Sequence, residues 1–71
     1  MILILPNSKT YEKLKDGDSI SLTRKNSVVC RGKIMAKLAS LILINLDMDE
    51  SRKMTEIYGD SLPKDIQILV F

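Results

Sequence analysis

The sequence predicts a small, mostly β domain: a partly open barrel with one or two short helices, with residues 1–71 as a single unit. Residues 19–23 and 28–38 alternate polar and apolar side chains, which is the period of a half-buried strand. Gly32 interrupts the second segment, and a glycine inside a strand often marks a bulge or bend that curls a small sheet. The chain has 71 residues, of which 45% are hydrophobic, and this length makes one domain.

The N-terminal residues predict a strand followed by a short helical segment. Residues 1–5 are apolar without alternation and stop at Pro6, so they predict a strand buried on both faces. Residues 8–14 predict one or two helical turns that Asn7 or Ser8 caps. A turn then leads into the first alternating segment.

The two alternating segments form a predicted hairpin whose apolar side chains share one face. This requirement sets two opposite pairs, Leu22 with Val28 and Ile20 with Cys30. It leaves a three-residue loop at residues 24–26, in which Asn26 tolerates the left-handed conformation that such loops need.

The C-terminal half predicts two more strands. Residues 41–46 predict a buried third strand, and residues 66–71 predict a final strand. Residues 47–51 predict a polar loop between them. Residues 51–58 fit a strand or a short helix, and Gly59, well placed to follow a helix end, favours the helix.

The alternative is an α+β fold with a central helix at residues 33–47. This stretch is rich in Ala, Leu, Lys and Met, which are good helix formers. A helix there would be apolar on all sides at residues 41–44, and the alternation of residues 28–38 would be accidental. We therefore predict strands across this region.

The residue inventory excludes most catalytic chemistry. The chain has no histidine, so a Ser-His-Asp triad or a Cys-His pair cannot form. Cys30 is the only cysteine, so no internal disulfide or zinc cluster is possible, and it falls on the inward face as a buried thiol. The acidic residues 47–50 lack the glycine and distal glutamate of a calcium loop. We predict a non-enzymatic protein with no metal and no cofactor.

Length and apolar content also predict the setting of the protein. No apolar run is long enough to span a bilayer, and residues 1–5 are too short for a signal peptide. One free cysteine fits a reducing compartment. We predict a soluble, cytoplasmic protein without a membrane partner. Because the core of so short a chain is marginal, we expect it to be stabilised by self-association into a homo-oligomer or by a very compact barrel.

Positive charge is concentrated in one stretch of the chain. Residues 1–37 carry eight Lys and Arg against three acidic residues, and residues 38–71 carry three against six. The candidate nucleic-acid-binding or partner-binding residues are Arg24, Lys25, Arg31, Lys33 and Lys37, with the hydroxyls of Ser19, Ser21 and Thr23 beside them. Strand alternation puts Arg31, Lys33 and Lys37 on one face, and hydroxyls can donate to phosphate oxygens. The leading prediction is a regulatory protein that contacts a nucleic-acid backbone in a salt-dependent manner.

Two other interpretations of this face stay open. The alternative function is a protein–protein inhibitor or adaptor that docks on a partner without nucleic acid. Val29 and Met35 lie among the charges, and an apolar centre within a charged rim is typical of partner surfaces. The face is also consistent with a solvated surface whose Lys and Arg prevent edge pairing.

Residues 20–46, through Arg31-Gly32-Lys33-Ile34 and Leu43-Ile44-Asn45-Leu46, resemble the first three strands of Sm-like barrels. The resemblance implies an SH3-like or Sm-like barrel and an oligomeric RNA-binding ring. The acidic residue and Met-Asn pair of the Sm-like RNA-contacting loop are missing between Leu38 and Leu41. The Arg-Gly of the last Sm-like strands has no match in residues 64–71.

Residues 5–14 and 17–22 are also similar to the swapped-hairpin transition-state-regulator domain. This second resemblance implies a dimeric DNA-binding protein. The two resemblances imply different folds, so neither is taken as a family assignment. The predicted architecture is a small SH3-like or Sm-like partly open barrel.

Overall fold

The computed structural model describes residues 1–59 and 61–70, and its centre is an antiparallel sheet of five strands. The strands are β1 (Ile2–Pro6), β2 (Ser19–Arg24), β3 (Ser27–Lys37), β4 (Leu41–Asn45) and β5 (Gln67–Val70). Their order in the sheet is β1-β4-β3-β2-β5. β1 and β5 are therefore edge strands, and across the described residues the sheet is not closed. This confirms the prediction of a mostly β domain whose sheet is not fully closed.

The alternative helix at residues 33–47 is wrong, because this segment crosses the sheet twice, as the second half of β3 and the whole of β4. Ile34, Ile42 and Ile44 are almost fully buried on the inner face. The alternation of a strand turns all three toward one core. Burial therefore overrides the helix propensity of the Ala, Leu and Lys residues among them.

One hydrophobic core covers the inner face of the sheet. It receives side chains from every strand, from the helix and from the connecting segments. The most deeply buried side chains are Ile20, Leu22, Cys30, Ile34, Ile42, Ile44 and Leu46. The inward position predicted for Cys30 is confirmed, since the residue is 1% exposed.

β1 is buried on one face only, which corrects the prediction of burial on both faces. Leu3 and Leu5 enter the core, whereas Ile2 and Ile4 are 52% and 56% exposed on the outer face. The predicted full burial of residues 41–46 is corrected in the same way, because Leu41 is 39% exposed. Alternation of a strand at the surface of a one-sided core produces this pattern.

The β2–β3 hairpin has a different register from the predicted one. Leu22 pairs with Cys30, and Ile20 pairs with Gly32. The predicted face is retained, because a shift of two residues keeps each side chain on the same side of the sheet. Val28 departs from it, because this residue is 56% exposed on the outside.

The hairpin turn explains the change of register. The turn contains two residues, Lys25 and Asn26, with φ values of 52° and 66°. Two left-handed residues form the short turn that matches the twist of paired strands. The left-handed conformation predicted for Asn26 is therefore confirmed. A bulge follows in β3 and directs Val29 toward the core, where it is partly buried.

Helix α1 (Met48–Tyr58) connects β4 to β5 and packs on β3. It begins where the Asp47 carboxylate accepts a hydrogen bond of 2.9 Å from the Glu50 N–H. It ends at Gly59, whose φ is 63°. The predicted helix at residues 51–58 is confirmed. The predicted polar loop at residues 47–51 is wrong, because Asp47 caps α1 and the residues after it form the first turn of the helix.

The predicted helical turns of residues 8–14 are a 3-10 turn, Lys9–Tyr11. The final strand is β5, and Phe71, the last residue of the predicted strand, lies outside the described residues. Of the helices in residues 1–59 and 61–70, none combines the length and the apolar content that crossing a membrane requires.

Candidate nucleic-acid interface

Arg31 and Lys33 project from the outer face of β3 at alternate positions, and both are exposed. Lys33 lies between Ser19 of β2 and Asn45 of β4, which are its direct partners in the sheet. Direct partners place their side chains on the same face. Two cations, a hydroxyl and an amide therefore share one surface. We call these four residues, Ser19, Arg31, Lys33 and Asn45, the basic face.

Only one of the three predicted hydroxyl groups is accessible on this surface. Ser19 is exposed, whereas Ser21 and Thr23 are 7% and 5% exposed. The Thr23 hydroxyl donates a hydrogen bond of 3.4 Å to the Gln67 carbonyl on β5. Ser21 and Thr23 therefore lie within the sheet, between β3 and β5. The sequence did not single out Asn45, although it is the one polar residue in the apolar run of β4.

Gly32 lies between the two cations and allows β3 to approach the end of β4. A Cβ at this position would lie 2.7 Å from Leu46 Cδ2 and 2.8 Å from the Asn45 carbonyl oxygen. The first contact is with a core side chain and the second is with backbone, so neither gives way easily. The predicted bulge at Gly32 is instead located between Ile34 and Ala36.

The bulge removes Lys37 from the basic face. Beyond it, Lys37 pairs with Ile42, whose side chain points into the core. The Lys37 ammonium donates hydrogen bonds of 3.3 Å and 2.9 Å to the carbonyls of Tyr11 and Glu12. The predicted common face of Arg31, Lys33 and Lys37 is therefore reduced to its first two members.

Arg24 is engaged at the other end of β2. Its Nε lies 2.9 Å from an Asp65 carboxylate oxygen, and its guanidinium lies 5.9 Å from the centroid of the Tyr58 ring. Hydrogen bonding to Tyr58 is the main effect that raises the pKa of Arg24, and hydrogen bonding to Asp65 is the second. Arg24 thus links β2 to the helix end and to the segment before β5. Lys25 lies exposed beside it at the tip of the turn.

The two predicted apolar interface residues do not form one patch. Val29 is half-buried and packs against the core, whereas Met35 is 45% exposed at the second bulge of β3. They lie six positions apart along β3, which corresponds to about 20 Å. Other exposed apolar side chains lie further along the sheet, with Ile2 and Ile4 on β1 and Leu41 on the neighbouring β4.

A cavity of about 360 Å³ connects the basic face to the start of α1. Its lining includes Arg31, Lys33, Asp47 and Glu50. Asp47 caps the helix, and Glu50 lies 3.2 Å from the Lys53 ammonium, so both carboxylates have structural partners. These carboxylates repel phosphate, so they disfavour an anion inside the cavity itself.

The Cys30 side chain points from β3 into the core, and its thiol stays protonated at neutral pH. Burial raises its pKa to about 11, and the negative charge of Glu50 acts in the same direction, against a smaller opposite effect from Lys53. The thiolate is the nucleophilic form of cysteine. An enclosed thiol with this pKa belongs to the core and takes no part in the surface site.

Comparison of the chain with models of protein families, with curated proteins and with solved structures finds no match. The resemblances of residues 20–46 and of residues 5–14 and 17–22 receive no support from these comparisons. The interpretation of the surface is therefore based on its geometry and charge.

Proposed function

We propose that this protein is a small, non-enzymatic regulatory protein that binds the sugar-phosphate backbone of nucleic acid through its basic face. The observation that carries the proposal is the pair of exposed cations, Arg31 and Lys33, on adjacent outward positions of the central strand. Ser19 and Asn45 flank Lys33 and supply neutral hydrogen-bond donors to phosphate oxygens. Lys25 extends the positive surface to the hairpin tip.

The same geometry predicts little sequence choice. An antiparallel sheet face with two cations offers contacts to phosphates, and it carries no aromatic ring on which bases can stack, since the residues of the basic face are Ser, Arg, Lys and Asn. With three phosphate contacts, from Lys25, Arg31 and Lys33, affinity falls about 40-fold between about 50 and 200 mM salt.

The test is a fluorescence-anisotropy titration with mixed-sequence single- and double-stranded DNA and RNA at both salt concentrations. The informative variant is Arg31→Glu with Lys33→Glu. Its matched control is Lys13→Glu with Lys15→Glu, which makes the same change in net charge at two exposed residues outside the basic face. We expect the first variant to lose binding and the control to retain most of it, with circular dichroism unchanged in both.

Two outcomes contradict the proposal. Intact binding by the Arg31→Glu, Lys33→Glu variant would remove the basic face as the site. Equal loss in this variant and in the control would show a response to net charge alone, without a defined surface.

The assignment of the sheet to the SH3-like or Sm-like barrels is part of the same proposal, as is a cytoplasmic location. The β2–β3–β4 meander, with its outward cations, supports the first. A buried, protonated Cys30 is compatible with a reducing compartment and supports the second.

A second candidate function is docking on another protein as an inhibitor or adaptor. It is favoured by Met35 and Leu38, which are 45% and 50% exposed around the second bulge of β3. A complex formed there would be insensitive to salt and would be lost in the Met35→Glu variant. A steep salt dependence with intact binding by Met35→Glu would favour nucleic acid instead.

A further inference from the structure

The backbone N–H and C=O groups of β1 point alternately toward β4 and toward the open edge of the sheet. Met1 and Leu46 exchange two hydrogen bonds, of 3.0 Å and 2.9 Å, and Asn7 continues the same pattern at the other end of the strand. In an antiparallel ladder, bonded residues alternate with residues that face away. Ile2 and Ile4 therefore direct their N–H and C=O groups away from β4, toward a side where residues 1–59 and 61–70 place no neighbouring strand.

This edge lacks the usual protection against pairing. Natural edge strands carry charged side chains, proline or bulges that prevent association. Residues 1–5 carry no charged side chain, and Ile2 and Ile4 are 52% and 56% exposed. Pro6, which has no N–H, blocks only the last position.

Space for another strand lies along part of this edge. A cavity of about 640 Å³ separates β1 from the segment that leads into β5. Its walls include Ile4, Leu5 and Pro6 on one side and residues 62–67 on the other. The outward backbone groups of β1 thus face a groove.

We propose that β1 pairs with β1 of a second copy of this chain, antiparallel, with Leu3 opposite Leu3. This register places Ile2 of each copy opposite Ile4 of the other. The N–H and C=O groups of these residues then form four hydrogen bonds across the two-fold axis, and Pro6 falls outside the ladder. The patch is self-complementary, as a two-fold interface requires.

Charge favours the antiparallel orientation. At the start of β1, the hydrogen bonds between Met1 and Leu46 join the strand to the segment that continues into the acidic residues Asp47 and Asp49. The other end of β1 leads to Lys9 in the 3-10 turn. Antiparallel pairing brings the acidic end of one copy beside the basic end of the other, at both ends of the interface.

Pairing through β1 joins the two sheets into one continuous sheet of ten strands. The two β3 strands are then five strand spacings apart, or about 24 Å. This consequence, unlike the pairing itself, rests on the proposed function: two basic faces on one surface would bind a single nucleic acid with avidity.

The test uses two single variants and their mixture, measured by sedimentation velocity and light scattering on the full chain. Ile2→Lys and Ile4→Glu each place a charge opposite an isoleucine of the second copy, so we expect each to weaken dimerisation by tenfold or more. In the proposed register, the introduced charges face each other when the two variants are mixed, so the mixture is expected to recover a dimer of two 8.0 kDa chains.

The matched control is Val28→Lys, which introduces charge at a residue with the same 56% exposure as Ile4 but on the hairpin. We expect it to dimerise like the natural chain. Circular dichroism of every variant checks that it folds. Weak association has dissociation constants between micromolar and millimolar. If the natural chain stays monomeric at about 100 µM, the proposal is overturned. Dimers that ignore both β1 variants overturn it too, and so does a mixture that stays monomeric.

Discussion

The Tyr11 hydroxyl accepts a hydrogen bond of 3.3 Å from the backbone N–H of Ile68, across 57 residues of sequence. Tyr11 belongs to the 3-10 turn that follows β1, and Ile68 belongs to β5. The Tyr11 side chain therefore reaches from one edge of the open sheet to the other. In a closed barrel a neighbouring strand would accept this N–H, and here a phenol does so.

Replacement of this hydroxyl is expected to loosen β5. Tyr11→Phe keeps the ring and removes the acceptor, so the free energy of unfolding should fall by about 1 kcal/mol. The measurement is urea denaturation with amide hydrogen exchange by NMR. The Ile68 amide should exchange faster, whereas the amide of Leu22, in the middle of the sheet, serves as the internal control. Unchanged exchange at Ile68 would contradict this role for Tyr11.

Lys37 should contribute to stability and Lys33 to binding. Lys37→Met removes the hydrogen bonds to the Tyr11 and Glu12 carbonyls and is expected to cost about 1 kcal/mol of unfolding free energy. Lys33→Met alters an exposed side chain and should change stability by no more than about 0.5 kcal/mol. Urea denaturation and nucleic-acid titration of both variants check this division. Weaker binding by Lys37→Met than by Lys33→Met would reverse the assignment.

The strands were predictable because their alternation reports burial on one side of a sheet. Ile20, Leu22 and Cys30 were placed on the correct face from their spacing alone. Their register was not predictable, because apolar matching favoured Val28 as the partner of Leu22. The two left-handed residues of the turn instead shortened the loop and produced a bulge. Local turn chemistry decided between two pairings that bury similar side chains.

The candidate site was predictable in part for the same reason. Alternation places Arg31 and Lys33 on the outer face, but the bulge before Ala36 puts Lys37 on the opposite side of the sheet. No residue type in this segment indicates a bulge. The engagement of Arg24 with Asp65 depends on a contact between distant segments. The exposure of Ile4 depends on the core lying on one side of the sheet, which an apolar run does not reveal.

Gly32 should tolerate no side chain. The Cβ of Gly32→Ala would meet Leu46 Cδ2 and the Asn45 carbonyl oxygen at 2.7 Å and 2.8 Å, so β3 and β4 must separate. The expected cost is about 1 to 3 kcal/mol of unfolding free energy. Thermal and urea denaturation measure it, with Ser19→Ala on the adjacent strand as an exposed control. Equal stability of the two variants would show that the strands adjust without cost.

Ionisation of Cys30 should weaken the fold in alkaline solution. Its pKa rises from an ordinary value of 9.0 to about 11 in the folded chain, chiefly because burial disfavours the thiolate. The stability linked to this group is therefore fully present below pH 9, where the thiol is protonated in both states. Above that pH the unfolded chain releases the proton first, so stability falls as the pH rises to about 11. Two pKa units correspond to about 2 to 3 kcal/mol.

The measurement that isolates Cys30 is urea denaturation between pH 8 and 11 for the natural chain and for Cys30→Val. The valine variant removes the thiol and retains every other ionisable side chain, so the difference between the two curves reports Cys30. We expect the natural chain to lose stability more steeply than the variant above pH 9, and the difference between the two curves to level off near pH 11. Parallel curves would show that the folded chain exposes the thiol to water, which would contradict its place beneath β3.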